Sequence, residues 1–202
     1  MAERSIGVFG SAFNPPHIAH LIFLAEARWQ LGLDEILAVP TGDPYHKDSA
    51  SDPGPEARLR LARAAFDGID GIEVSDIEVR RDGPSYTCDT LEVIADRFGT
   101  SEIFFLMGAD AAQGFAGWKQ PERILEKARI GIAPRPGVER EEIQSVFDGL
   151  DGKDRIEFIE MPRIDISSTF IRERIEAKEP FCHLVPTKVA QMIKNEDTYG
   201  TE

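Results

Sequence analysis

The sequence predicts an α/β protein, a mainly parallel sheet covered by helices on both faces. Two patterns carry that expectation. Short apolar runs of strand length alternate with longer segments whose apolar residues recur at helical spacing. Strands separated by helices cannot close as hairpins, so they join as right-handed β-α-β units with parallel pairing. In open sheets of this kind ligands bind beyond the carboxyl ends of the strands, which makes the loops after strands the places to look for chemistry.

The elements follow in order. Ser5 to Phe9 reads as a buried strand, followed by a turn-rich loop through Pro16. From His17 to Leu31, the residues Ile18, Leu21, Ile22 and Ala25 recur at helical spacing, and Gly32 stops the helix at a C-terminal cap position. Glu35 to Val39 is a second strand, and Thr41 to Pro55 a polar loop long enough to be suspected of function. Glu56 to Phe66 is a helix with Leu59, Ala62 and Phe66 facing inward. Ile72 to Val79 is extended, and Thr87 to Phe98 is helical. Ile103 to Met107 is an apolar strand, Pro121 to Ala128 a short helix with Pro in its first turn, and Arg129 to Ala133 a further strand. Glu139 to Phe147 is a helix, Ile156 to Met161 the last strand, and Thr169 to Ala177 and Thr187 to Asn195 the closing helices. With no repeat, low-complexity tract or linker, residues 1–202 read as a single domain that includes the C-terminal helices from about 165.

Composition narrows the functions. The chain has 202 residues, 42% of them hydrophobic, which is enough for a substantial core. The formal net charge of -13 argues against nucleic acid or an anionic membrane as partner, since both reward basic patches. Any phosphate site must then be a local gathering of donors in an acidic protein. No apolar run approaches the roughly 20 residues of a membrane span, and the apolar start at Ile6 to Phe9 is broken by Gly10 and Pro15-Pro16 rather than extended like a signal peptide. Cys88 and Cys182 form no C-x-x-C pair and have no metal-ligand spacing with the histidines. A cytoplasmic protein is expected.

Two segments carry site chemistry. Gly10 to His20 leaves a strand, crosses a Gly/Pro turn and enters a helix, with His17 and His20 on one face of its first turn. That turn offers backbone N–H groups and the positive end of the helix dipole, so it suits phosphate. Asp165 to Arg172 also follows a strand and opens a helix. Its Ser/Thr run supplies an N-cap and hydroxyls, with Arg172 in the first turns. Neither G-x-x-x-x-G-K-[ST] nor a G-x-G-x-x-G after the first strand is present, which lowers the odds of a P-loop enzyme or a dinucleotide dehydrogenase.

His17-Ile18-Ala19-His20 resembles the H-x-G-H signature of the nucleotidyltransferase superfamily, and Ile166 to Arg172 resembles its I-S-S-T-x-x-R signature. Within that superfamily, Gly83-Pro84-Ser85-Tyr86-Thr87-Cys88-Asp89-Thr90-Leu91 resembles the nicotinate-holding segment of bacterial nicotinate mononucleotide adenylyltransferases. Met107-Gly108-Ala109-Asp110, Trp118-Lys119 and Arg135-Pro136-Gly137 are similar to further stretches of the same family. The chain departs from the pattern at Ala19, where Gly is usual, and at Ser11-Ala12, where Gly-Thr or Gly-Ser is usual.

The resemblance implies a Rossmann-like fold and transfer of the adenylyl group of ATP to nicotinate mononucleotide. Mg²⁺ is expected to be carried largely by the phosphates of ATP, since the sequence offers no acidic cluster that forms a dedicated metal cage. It implies that His20 contacts the α-phosphate, that His17 holds the triphosphate, and that Ser167, Ser168 and Arg172 bind the β- and γ-phosphates. It adds Gly10, Phe13, Gly108, Asp110 and Ile166 to the ATP site, with Asp110 near the ribose. Lys47 is the expected contact of the acceptor phosphate. The backbone at Tyr86 and Thr87 meets the nicotinate carboxylate, Trp118 stacks on the pyridine ring, and Arg135 either reaches nucleotide phosphate or braces its own turn.

Overall fold

A computed structural model describes residues 4–43, 52–99 and 102–200. Six strands form one all-parallel sheet in the order β3-β2-β1-β4-β5-β6. They are β1 (Ser5–Ser11), β2 (Glu35–Pro40), β3 (Ile72–Val74), β4 (Glu102–Gly108), β5 (Arg129–Ala133) and β6 (Ile156–Phe158). The helices are α1 (Ile18–Gln30), α2 (Pro55–Phe66), α3 (Thr87–Phe98), α4 (Ala109–Gln113), α5 (Pro121–Lys127), α6 (Arg140–Phe147), α7 (Ser168–Glu176) and α8 (Thr187–Glu196). The parallel sheet is what the alternation of runs predicts, and it is Rossmann-like, as the resemblance implies.

The described chain divides into two compact units, one of residues 1–10, 23–37 and 86–165, the other of residues 11–22, 38–85 and 166–202. In the first, β1 pairs with β4 in the register Ser5 opposite Glu102 to Phe9 opposite Leu106, and β4 pairs with β5 from Phe104 opposite Arg129. Five consecutive residues of β4, Ile103 to Met107, are buried, so side chains on both faces are covered. Phe115 stacks on Phe147 of α6 with ring centroids 4.7 Å apart. In the second unit, α2 packs on α8, and Phe13, Phe66, Leu59, Ile171, Val189 and Ile193 are buried.

Several boundaries differ from expectation for identifiable reasons. The extended run at Ile72 to Val79 pairs only to Val74. Ser75 N–H still donates to Ala38 O, but the chain then turns, with Arg80 N–H bonded to Asp76 O and Arg81 N–H to Glu78 O. Local turn bonds have replaced the ladder there. The last strand ends at Phe158 rather than Met161. Ile159 N–H reaches Ile132 O, and Pro162, which has no N–H to donate, lies beyond. Helix α2 begins one residue early, at Pro55, where a missing N–H costs nothing. The short helix α4 and the 3-10 turn Phe115–Gly117 lacked any usable sequence period.

Candidate active site

Between the end of β1 at Ser11 and the start of α1 at Ile18 the chain makes an irregular turn, and side chains hold it. Phe13 adopts a left-handed backbone (φ 50), unusual for a bulky residue, and its ring is fully buried. It meets Phe66 of α2 and His20 of α1 edge-on, with centroids 5.2 and 5.4 Å away. Ser11 Oγ accepts from Phe13 N–H at 3.4 Å. The hydroxyl that the Ser11-Ala12 departure places here is therefore used in shaping the turn.

His17 is the N-cap residue of α1 and His20 its third helical residue. His20 Nδ1 accepts from the His17 backbone N–H at 3.1 Å, the reciprocal half of a capping box with imidazole in place of carboxylate. The two rings stack with centroids 3.7 Å apart and planes 20° from parallel. Burial pushes His17 down to about 4, and burial together with the His17 neighbour holds His20 well below its ordinary value. Both imidazoles are therefore neutral near pH 7. Since Nδ1 of His20 is an acceptor, its proton sits on Nε2. Among the described residues His17 Nδ1 is buried without a hydrogen-bond partner.

The expected free N–H groups of this turn are partly absent. Ile18 N–H donates to Leu184 O and His20 N–H to His17 O, each at 3.0 Å. The donors at this helix end are thus more imidazole than backbone.

Helix α7 closes on the same turn. Ser167 is its N-cap and accepts from Phe170 N–H at 3.1 Å, as the Ser/Thr run predicts. Ser168 Oγ donates to Pro15 O at 2.8 Å, and Arg172 Nη1 donates to Asn14 O at 2.7 Å. The Tyr199 hydroxyl, which burial keeps protonated, donates to Asn14 Oδ1 at 2.7 Å. The structure therefore joins the turn of Phe13, His17 and His20 to Ser168 and Arg172 of α7, the helix that Ser167 caps, and adds Asn14 and Tyr199.

A third unforeseen residue of this region is a buried arginine. Arg58 of α2 is fully buried, with its guanidinium on backbone carbonyls of Ala12, Thr41 and Gly42 and on the carboxylate of Asp52. It lies four and eight residues before Ala62 and Phe66, so helical spacing placed it on the apolar stripe.

Gly10 is the penultimate residue of β1, and Ile166 precedes the Ser167 cap. Tyr86 is the N-cap of α3 and Thr87 its first residue, as the turn-then-helix pattern implies. Lys119 Nζ lies 3.9 Å over the Tyr86 ring and 3.1 Å from Asp89 Oδ2, a cation–π and ion pair that sequence reading missed. Trp118 is half-buried, tilted against Phe115 and edge-on to Phe105. Gly108 caps α4, and Asp110 in its first turn is ion-paired with Arg135, so each now occupies the other. Lys47 lies outside the described residues.

A helix terminus bearing two neutral imidazoles, tied to a Ser/Arg helix, has the chemistry to receive phosphate oxygens, and the chain belongs to the cytidylyltransferase-like family, matched over residues 8–174. More particular relatives share its whole length. A protein of Carboxydothermus hydrogenoformans named "Probable nicotinate-nucleotide adenylyltransferase" is 37% identical over 201 residues, covering 98% of this chain and 100% of that one. One of the same name from Dehalococcoides mccartyi is 34% identical over 204 residues, covering 98% of each. Among solved structures, a Plasmodium falciparum nicotinic acid mononucleotide adenylyltransferase complexed with NaAD covers 99% of both chains at 17% identity, with a TM-score of 0.81. At that identity the likeness speaks for the fold.

Proposed function

We infer that the chain is a nicotinate-nucleotide adenylyltransferase, moving the adenylyl group of ATP onto nicotinate mononucleotide to form nicotinate adenine dinucleotide and pyrophosphate in NAD biosynthesis. The observation that carries this is the 37% identity spanning 98% of the chain. The acceptor phosphate oxygen attacks the α-phosphorus in line, and the bond to the bridging oxygen of pyrophosphate breaks. The nucleophile is already an anion, so the protein's work is positioning and charge stabilisation.

In this reading His20 donates Nε2–H to the α-phosphate as charge builds there, and His17 holds the triphosphate. Neutral donors suit the task because they need no proton exchange with water to be ready. Arg172 and the start of α7 bind the β- and γ-phosphates. The Ser168 hydroxyl proton is committed to Pro15 O, so its backbone N–H is the donor it offers. Gly10, Phe13, Gly108, Asp110 and Ile166 complete the ATP contacts. Lys47, Tyr86, Thr87, Trp118 and Arg135 take the acceptor, with the start of α3 receiving the nicotinate carboxylate.

Mg²⁺ enters on the phosphates of ATP with its waters retained. The donors gathered here are imidazole, hydroxyl and guanidinium, which fit phosphate oxygens rather than a bare cation. The reading places the enzyme in the cytoplasm.

Pyrophosphate release from ATP and Mg²⁺ tests it, with nicotinate mononucleotide and nicotinamide mononucleotide offered separately. Strong preference for the acid is expected. Release with neither overturns the assignment.

A further inference from the structure

We infer that Arg58 is a positioning residue for the transfer, tying the phosphate turn to the exit of β2 through one buried guanidinium. For its effect on turnover this rests on the adenylyl-transfer reading above. Arg58 is fully buried, and a buried cation persists only when its donors are matched. They are matched by two loops at once. Nη1 donates to Ala12 O at 3.2 Å in the turn that leads into His17 and His20, and also to Thr41 O. Nη2 donates to Gly42 O at 2.9 Å. Nε meets Asp52 Oδ1 at 3.0 Å, and the same carboxylate oxygen accepts from Gly54 N–H, which holds it at the start of α2.

The β2 exit is gripped from its other edge as well. Ser85 Oγ accepts from Gly42 N–H at 3.1 Å and Asp43 N–H at 3.3 Å. A Cβ on Gly42 would fall 2.2 Å from Glu78 O, so no side chain fits at this position. On the phosphate side, α2 holds the turn a second time through Phe66 against Phe13. The Arg58 side chain thus bonds to both segments, beside the direct backbone bond from Thr41 N–H to Ser11 O at 3.0 Å. Arginine is required because its planar fork reaches four acceptors, where an ammonium group reaches them only from one point.

Arg58→Lys and Asp52→Asn test this, the second leaving the buried guanidinium in place should the first fail to fold. Hydrogen exchange is read on each variant at Ser11–Phe13 and Thr41–Asp43. In Arg58→Lys, exchange should quicken by about tenfold or more in both segments, while the apolar face of α2 stays protected. Asp52→Asn should quicken the same two segments to a smaller degree. With turnover, kcat should fall on the order of 10- to 100-fold in Arg58→Lys while KM for ATP stays within about threefold, since small misplacement acts on the reaction more than on binding.

Parental exchange in both segments of a folded variant overturns the inference, as does quickening of one segment alone. A parental kcat in folded Arg58→Lys overturns it too. A parent that releases no pyrophosphate sinks the adenylyl-transfer reading instead, and the exchange pattern still decides whether Arg58 joins the two segments.

Discussion

The phosphate turn and the segments around Tyr86 and Asp110 were both expected to bind substrate, yet they are built differently. In the turn, polar groups are spent on backbone. Ser168, Arg172 and Arg58 hold carbonyls of Pro15, Asn14 and Ala12, and the histidines are neutral. Around Tyr86 and Asp110, exposed side chains satisfy one another instead, Lys119 with Asp89 and Arg135 with Asp110. A ligand must leave the first arrangement intact, whereas it can displace a partner in the second. On the proposed reading, the first region is preorganised for charge that appears during reaction, and the second is exchangeable, as suits a group that chooses its substrate.

The sharpest way to break this contrast is His20→Ala. It removes a donor aimed at developing charge, so kcat should fall by 10²- to 10³-fold, about 3–4 kcal/mol of transition-state stabilisation. KM should move little, and equal turnover in variant and parent would end the assignment.

Next in size is pH. His17 titrates at about 4 in the fold against 6.5 in the unfolded chain, so the fold favours its neutral form. Its contribution is complete above pH 6.5 and is lost as pH falls toward 4, up to about 3 kcal/mol. Denaturant melts across that range should show the decline, and His17→Gln should lessen it, leaving the part of the same sign that the burial of His20 contributes.

Smaller still is Tyr199→Phe, which deletes a hydrogen bond to Asn14 and should cost about 1 kcal/mol in thermal or denaturant melts. Smallest is Arg135→Ala. An exposed ion pair is worth under about 1 kcal/mol, so stability should hardly move. KM for one substrate should instead rise several-fold with kcat held. A large kcat loss there would erase the distinction between the regions.

The same contrast explains what the sequence made legible. The alternation of apolar runs gave the sheet, since period and length are local properties. His17, His20 and the Ser167 cap were readable because helix ends announce themselves within a few residues. Arg58 was not. It shares α2 with Arg60 and Arg63, and what sets it apart is a set of acceptors from residues 12, 41, 42 and 52. Nor could the left-handed Phe13 be read, because only its contacts with Phe66 and His20 make that conformation worthwhile. The Asp110–Arg135 pair was hidden for the same reason, its members being 25 positions apart in sequence.

The neutrality of the stacked imidazoles has a kinetic consequence. A chain of net charge -13 repels nucleotides at long range, and two uncharged rings do nothing to offset that field. Nucleotide capture then depends on contact rather than attraction from a distance. Its association rate should rise as added salt shortens the reach of the repulsion, opposite to the behaviour of an electrostatically steered encounter.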